Sequence, residues 1–459
     1  VKKLLLSEIN KIIDGRILNK HEINPVIKNV ILGKSDKIKN STLIFFPRKA
    51  KLETYKNDLK SCVIVTEKPE LFMDFAECFT IVKVEDSRNA YNKFVQFYRH
   101  LFPIPVVGVT GTCGKTTTKE MIATILKEDR KIVKTISSQN SRSLNLEYLM
   151  KINEQTDAAV IEVGVGFPGG IKDFDLHFEP CIGVITNIEI DHMKGFKTHQ
   201  SYIDEKAEMV NIISKNNGTI ILNKDDMNIR NLDLSHFKGE IRYYGINDGD
   251  LRASNIHYNE QGMEFSVYDG KQIYQCKINC FGRHNVYNAL AALAVSTTLG
   301  ISLKDAIKRL QNFQPLNRHL QIRTGINQCT LIDDTWNTNS KSIDAALQTL
   351  ASLANGRKTI AVLGDIEELG DLSESEHKKI GTFIHKYKIN QLVTIGKEAK
   401  FIAQKAIELG MNPSDVFILV HQGDLLNILK TIADENSVVL VKASMRNSFQ
   451  DTLKKLIID

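Results

Sequence analysis

The sequence predicts an α/β protein of three domains: a small mixed α/β domain, a central P-loop domain built on a doubly wound parallel sheet with a small β insert, and a C-terminal Rossmann-like α/β domain. Three observations predict it. The chain has 459 residues, about three domains of ordinary size. Short runs rich in Val and Ile, apolar on both faces, alternate with helical periodicity, as parallel strands covered by helices require. A glycine-rich turn joins one such run to a helix at 108–120.

The first domain is expected over 1–102. It carries apolar runs at TLIFF (42–46) and CVIVT (62–66), each suited to a buried strand, and no catalytic pattern. The second, 103–313, begins after Pro103 and Pro105. Its strands are VVGVT (106–110), AAVIEV (158–163), CIGVIT (181–186) and TIILN (219–223), with helical patterns between them such as KEMIATILKE (119–128). From about Glu240 to Ile278, alternating segments flank a YDGK turn and predict the antiparallel insert. A helix then runs from about Asn285 to Leu299 and stops at Gly300. The third, 314–459, starts near Gln314-Pro315. It offers strands TLIDD (330–334), TIAVLG (359–364), QLVTIG (391–396), VFILV (416–420) and VVLVK (438–442), without a GxGxxG.

Composition adds bounds. Hydrophobic residues make up 42% and charged residues 25%, an ordinary globular balance. A net charge of +6 suits anionic ligands or a mixed solvated surface equally, and no basic run points to nucleic acid. Leu4–Leu6 is too short for a signal peptide or a membrane span, and no later run is long enough either. Seven scattered cysteines make no zinc pattern, so a reduced cytoplasmic protein is expected.

The strongest chemical signal is GVTGTCGKTTTKE (108–120). Gly111, Thr112 and Gly114 let backbone N–H groups close around phosphate at a helix N-terminus. Lys115 is placed to reach the outer phosphates, Thr116 to reach Mg²⁺, and Thr117 follows in the same turn. The spacing from Gly108 differs from the common G-x4-G-K, but the G-x2-G-K-T core from Gly111 is intact. Glu162 and Asp191-His192 each follow a buried strand at its C-terminal end. Alone, either reads as a strand-end polar residue; the shared topological position points to Mg²⁺ bridging nucleotide phosphates. Lys206, in YIDEKAEMVNII, reads equally as an exposed helix lysine.

Taken together, the motifs resemble the Mur ligase family over about residues 103–450. GTCGKTTT resembles its P-loop, TNIEIDHM with DEKAEM its metal-binding stretch, and FGRHNVYNALAALAVSTTLGIS (281–302) its adenine-side helix. LIDDTWNTNSKSIDAAL (331–347), GRKTIAVLGDIEELG (356–370) and VVLVKASMRNS (438–448) resemble the C-terminal part of the D-alanyl-D-alanine-adding member. The resemblance implies that Lys115 and Thr116 hold phosphates and Mg²⁺. It implies that Glu162, His192 and a carbamylated Lys206 hold Mg²⁺, two ions in all, and that Lys115, Lys206 and His192 are the catalytic set. His284, Asn285 and Asn288 then sit where the family holds adenine, although the two asparagines read equally as helix-start caps. Arg318 and Asp333 match residues that close on phosphates and ribose. Trp336, Asn337 and Asn339 stand where the family receives the incoming amine.

This sequence departs from the family pattern at Cys113, where Asn is usual, and at Trp336 and Ser340, where tyrosine and proline are usual. KASMRNS departs from the usual serine–arginine order. The expected DSR-type UDP-binding motif is missing from its nearest stretch in the first domain, LGKSDKIKNSTLIFF (32–46). The activity implied is ATP-dependent amide formation. A carboxylate on a nucleotide-linked cell-wall peptide, murein or archaeal pseudomurein, becomes an acyl phosphate and is joined to an amino acid or dipeptide. The enzyme is expected to be a monomer, with no nucleic-acid partner and no membrane insertion. The larger indole of Trp336 is expected to disfavour D-alanyl-D-alanine if it lines the amine pocket. Two alternatives are a folylpolyglutamate-synthase-like ligase, opposed by the first domain and by DDTWNTN, and a non-catalytic nucleotide-binding regulatory protein, opposed by the intact Lys115, Glu162, His192 and Lys206.

Overall fold

A computed structural model describes residues 2–19, 24–33, 39–46, 62–76, 79–259, 261–444 and 449–458. Residues 34–38 of the LGKSDKIKNSTLIFF stretch and 445–448 of KASMRNS therefore lie outside the described residues. The structure is α/β throughout and groups into two compact units. The first joins Val1–Gly108, Asp129–Gly164 and Gly169–Ile182; the second holds Val109–Glu128, Val165–Pro168 and Gly183–Asp459.

In the first unit, strands Asn29–Leu32, Thr42–Phe45, Val63–Thr66 and Thr80–Lys83 lie side by side in parallel. Arg16–Ile17 pairs antiparallel along the outer edge. Thr42–Phe45 and Val63–Thr66 are buried at every residue, which is why both read as continuous apolar runs. Helix Ser87–His100 starts at Asp86, whose carboxylate accepts from the N–H groups of Arg88 and Asn89. Its buried face carries Tyr91, Phe94, Val95 and Tyr98. That helix meets helix Gly170–Phe178 through Tyr91 Oη, 2.7 Å from His177 Nε2. The buried Arg99 guanidinium donates to the carbonyls of Phe178, Phe102 and Ile104 at 2.6, 2.5 and 3.1 Å. Strands Ile132–Lys134 and Ala158–Glu162 pair in parallel in the same unit.

In the second unit, Thr219–Asn223 pairs parallel with Glu240–Gly245. Leu251–Tyr258, Met263–Tyr268 and Ile273–Ile278 continue the sheet as an antiparallel meander. The expected insert is present, but its antiparallel part begins at Leu251. The stretch 240–245 is buried only at its end, and it belongs to the parallel ladder. The C-terminal sheet runs in the order Gln321–Thr324, Thr330–Asp334, Ser437–Lys442, Lys358–Gly364, Gln391–Ile395, Val416–Leu419. Every pairing is parallel except that of the first strand. The last strand in sequence thus lies between Thr330–Asp334 and Lys358–Gly364, so the loops after those strands open at a topological switch point. Apolar residues packed on both faces of this sheet form its two cores.

Candidate active site

Strand Val106–Thr110 ends at Gly111, and helix Lys115–Leu126 begins after Gly114. Both glycines are required. Gly111 has φ +140 and a Cβ there would lie 1.9 Å from Thr186 Oγ1; Gly114 has φ +81 and a Cβ would lie 2.3 Å from Asn288 Oδ1. The loop is tied down from residues 186–187. Thr112 N donates to Asn187 O at 2.9 Å, and Cys113 N to Asn187 Oδ1 at 2.9 Å. The Cys113 carbonyl accepts from Thr186 Oγ1 at 2.6 Å and Asn187 Nδ2 at 3.0 Å.

Two lysines converge on this loop. Lys115 Nζ donates to the carbonyls of Gly111 and Thr112 at 3.0 and 2.9 Å. Lys206 Nζ donates to the same Gly111 carbonyl at 3.0 Å and sits 4.5 Å from the centre of the Tyr202 ring. The reading of Lys206 as an exposed helix lysine does not hold, since the residue is only 1% exposed in helix His199–Lys215. Burial, then the positive charge of Lys115, holds its ammonium well below the ordinary lysine range. A neutral amine is the form that adds CO₂, so the setting suits the carbamate that the family resemblance implies.

His192 follows the strand Ile182–Ile185 in a turn and has φ +54. Its Nδ1 lies 2.6 Å from Glu368 Oε2, which leaves Nε2 for another partner. Glu162, in the first unit, is buried at the end of strand Ala158–Glu162 and accepts from Asn140 Nδ2 at 2.7 Å. Among the described residues no three His, Cys, Asp or Glu side chains are gathered as a metal cluster. Thr116 and His192 offer hydroxyl and imidazole donors in the second unit and Glu162 a carboxylate in the first, each a donor type that Mg²⁺ accepts.

Asn285 and Asn288 are buried and bonded to one another, Asn288 Nδ2 donating to Asn285 Oδ1 at 2.9 Å. Asn285 donates to Phe281 O at 2.7 Å, and Thr118 Oγ1 donates to Asn288 Oδ1 at 3.2 Å. The residue at the helix start is Gly282, so the asparagines link helix Arg283–Thr298 to the phosphate loop rather than merely cap it. His284 is pushed down to about 4 by burial, so its imidazole is neutral at ordinary pH, and its Nδ1 has no hydrogen-bond partner among the described residues.

After strand Thr330–Asp334, the buried Asp333 accepts from Thr335 N and Oγ1 at 3.1 and 2.7 Å; burial raises its pKa. Arg318, with φ +64, donates through Nε to Thr335 Oγ1 at 2.8 Å and to the Thr335 carbonyl through Nη2. Trp336 is half-buried. Its ring is covered by the Arg318 guanidinium at 5.7 Å and by the His319 ring at 5.6 Å. Asn337 is exposed. Asn339 caps helix Ser340–Ala354 by accepting from Ser342 N, and its amide lies 3.1 and 3.2 Å from Cys113 Sγ.

Several functional contacts escaped the sequence reading. Asp334 and Lys442 are register partners on adjacent strands, nearly buried, with Oδ2 and Nζ 2.6 Å apart. Lys442 also donates to Asn337 O at 2.9 Å, which fixes the loop. Two opposite charges closing two apolar strands were a usable signal. Asn187, Asn140 and Glu368 left none, because their partners lie far away in sequence.

Comparison with known proteins agrees with this geometry. Residues 109–296 match the family profile described as Mur ligase middle domain, and residues 318–445 that described as Mur ligase, glutamate ligase domain. A UDP-N-acetylmuramoyl-tripeptide–D-alanyl-D-alanine ligase from Bacillus subtilis is 30% identical over 382 residues, 83% of this chain and 82% of the relative. The fold is shared with MurF from Acinetobacter baumannii (TM-score 0.85, 24% identity, 99% and 98% of the two chains). It is shared also with MurF from Thermotoga maritima in complex with ADP (0.77, 20%, 93% and 96%). A pseudomurein peptide ligase type C from Methanothermus fervidus has the same architecture (0.66, 20%, 90% and 94%).

Proposed function

The chain belongs to the Mur ligase family, and from that premise we propose that it is an ADP-forming peptide ligase that adds D-alanyl-D-alanine to a nucleotide-linked cell-wall peptide. The observation that carries the reading is the convergence of Lys115 and Lys206 on the Gly111 carbonyl. It sets one lysine beside the phosphate loop and, behind it, a second whose pKa burial lowers. The 30% identity to a ligase of that name favours the dipeptide as the amine. The covering of Trp336 by Arg318 and His319 weighs against that ring selecting a different one.

In the first step an oxygen of the substrate carboxylate attacks the γ-phosphorus of ATP, ADP leaves, and an acyl phosphate forms. In the second, a neutral amine attacks the acyl carbon, phosphate leaves, and the amine's extra proton is lost to solvent. Lys115 offsets the repulsion between two anions in the first step. The Lys206 amine attacks CO₂, a C–N bond forms and a proton departs from nitrogen, which turns a buried neutral amine into an anionic oxygen ligand. Thr116, Glu162, His192 and that carbamate would hold Mg²⁺, two ions in all, which would supply positive charge to the phosphates. Gly111, Thr112, Gly114 and Thr117 line the phosphates. His284, Asn285 and Asn288 take the adenine side, and Arg318 and Asp333 the ribose and phosphates. Asn337 and Asn339 face the amine. Residues 1–102 receive the nucleotide-linked acceptor, 103–313 bind ATP and 314–459 complete the ligase site, in a cytoplasmic monomer.

A second reading, a related polymer on another carrier, is favoured by the stretch LGKSDKIKNSTLIFF (32–46), which has no DSR, while the Asp86-Ser87-Arg88 of the first domain caps and opens helix Ser87–His100. Phosphate release tests both. UDP-muramoyl-tripeptide with D-alanyl-D-alanine should give turnover that needs both substrates. Turnover only with another acceptor would select the second reading, and nucleotide hydrolysis indifferent to acceptor and amine would refute ligase activity.

A further inference from the structure

We propose that Glu368 is the positioning residue of His192, so that the loop after strand Lys358–Gly364 sets the imidazole that faces the metal. The inference rests on the reading of His192 as a metal ligand. Glu368 Oε2 and His192 Nδ1 are 2.6 Å apart, and the backbone repeats the contact, Lys194 N donating to Glu368 O at 3.3 Å. Both residues occupy the left-handed region, His192 at φ +54 and Glu368 at φ +63. Non-glycine residues seldom adopt it, and two that do so while facing one another are held there by their surroundings.

Those surroundings are rigid. The Asp365 carboxylate accepts from the N–H groups of Lys397, Glu398 and Ala399 at 3.1, 3.1 and 2.7 Å, which anchors one end of the Glu368 loop. Ile366 N donates to His377 Nε2 at 3.0 Å, and the other nitrogen of that fully buried ring lies 2.7 Å from Ser373 O. His377 is therefore neutral with its proton on Nδ1 and fixes the loop at its middle. On the His192 side, Gly195 N and Phe196 N both donate to His192 O, at 2.8 and 3.3 Å. A carboxylate on Nδ1 keeps the proton there, turns the lone pair of Nε2 outward and makes that nitrogen a better donor to a metal. An exposed ion pair formed by two flexible side chains needs none of this framework.

The test uses the full chain with ADP and Mn²⁺ as a spectroscopic probe, the free ion counted by electron paramagnetic resonance. Glu368→Ala should weaken Mn²⁺ binding about 10-fold or more, the scale usual for the carboxylate behind a metal-bound histidine. Glu368→Gln keeps an acceptor for the Nδ1 proton and should fall between Glu368→Ala and the parent. Selective ¹⁵N-histidine spectra should show the His192 proton fixed on Nδ1 in the parent and shared between tautomers in Glu368→Ala; a merely structural contact would not move that signal. If His192→Ala weakens Mn²⁺ binding and Glu368→Ala does not, the positioning role is overturned while the metal site stands. If His192→Ala leaves binding unchanged, the ligand reading itself fails, and the proposal with it.

Discussion

Replacing Gly114 by Ala should separate the two demands that the phosphate loop makes on that position. The backbone lies at φ +81, where an L side chain costs about 1–2 kcal/mol. The new Cβ would also lie 2.3 Å from Asn288 Oδ1 and 3.2 Å from its Cγ, so Asn288 has to move. It is buried, and moving it breaks the bonds with Thr118 Oγ1 and Asn285 Oδ1, each worth about 1 kcal/mol. The sum is about 3–4 kcal/mol. If the loop relaxes rather than the fold, ADP affinity falls by about 10²–10³-fold, since each ~1.4 kcal/mol is tenfold. Calorimetric titration with ADP and a thermal melt together capture the cost wherever it appears. In an Asn288→Ala background the clash is absent and only the backbone cost remains, so Gly114→Ala should then weaken ADP binding by only about 10-fold. An ADP affinity within about twofold of the parent, with an unchanged melt, would refute the loop geometry. An equal effect in both backgrounds would refute the part assigned to Asn288.

Lys115→Ala should lower turnover by ~10²–10³ or more, measured as phosphate release, because it removes a charge aimed at the transferring phosphoryl group. Lys206→Ala should be nearly inactive and partly restored by a short carboxylic acid. In the parent enzyme, falling pH protonates an amine whose pKa burial has lowered, so CO₂ is lost and activity with it; bicarbonate added to CO₂-depleted enzyme should restore activity above that transition and not below it. Lys442→Met should cost about 3–5 kcal/mol in urea unfolding by leaving Asp334 as an unpaired buried charge, and adding Asp334→Asn should recover most of it. In competition with L-alanine and L-lysine, D-alanyl-D-alanine should be the amine incorporated, read by mass of the product; incorporation of a single L-amino acid would return Trp336 to the role that its departure from the family tyrosine suggests.

Much of the fold was legible because buried parallel strands carry an unambiguous pattern. The runs at 106–110 and 219–223 are strands over those same residues, and all five expected C-terminal strands are present. Direction was less legible. Alternation of polar and apolar residues does not say which way the neighbouring strand runs, so 240–245 suggested an antiparallel segment and pairs parallel. In the site, Lys115 announced itself through local spacing. Lys206 did not, since the burial that separates an amine from a solvated ammonium is a property of the loop 95 residues away that its Nζ meets. Asn288 was ambiguous for a related reason. Near a helix start an asparagine is an ordinary cap, and only the approach of Gly114 and Thr118 shows that its side chain is used on the phosphate loop.

The contacts made by residues 339–341 and 368 bear on how the two steps are kept in order. Asn339 reaches Cys113 in the phosphate loop, Lys341 Nζ lies 2.9 Å from Glu189 Oε1, and Glu368 holds His192. All three central partners belong to segments that carry phosphate or metal in the proposed chemistry, and all three reaching residues stand at or just after the C-terminal ends of strands in the other sheet. Those are the ends where the amine is proposed to enter. An acyl phosphate is destroyed by water, so the amine site has to be in place when the intermediate forms. A single loop that both touches the phosphate loop and borders the amine site meets that need, because the arrangement that completes one completes the other. The usual Asn at the Cys113 position would offer a second amide to Asn339; a thiol offers only a weak donor and acceptor. Cys113→Asn should therefore strengthen this contact and lower the KM for the amine, with little change in ADP affinity. A change confined to ADP affinity would show that Cys113 serves the nucleotide alone.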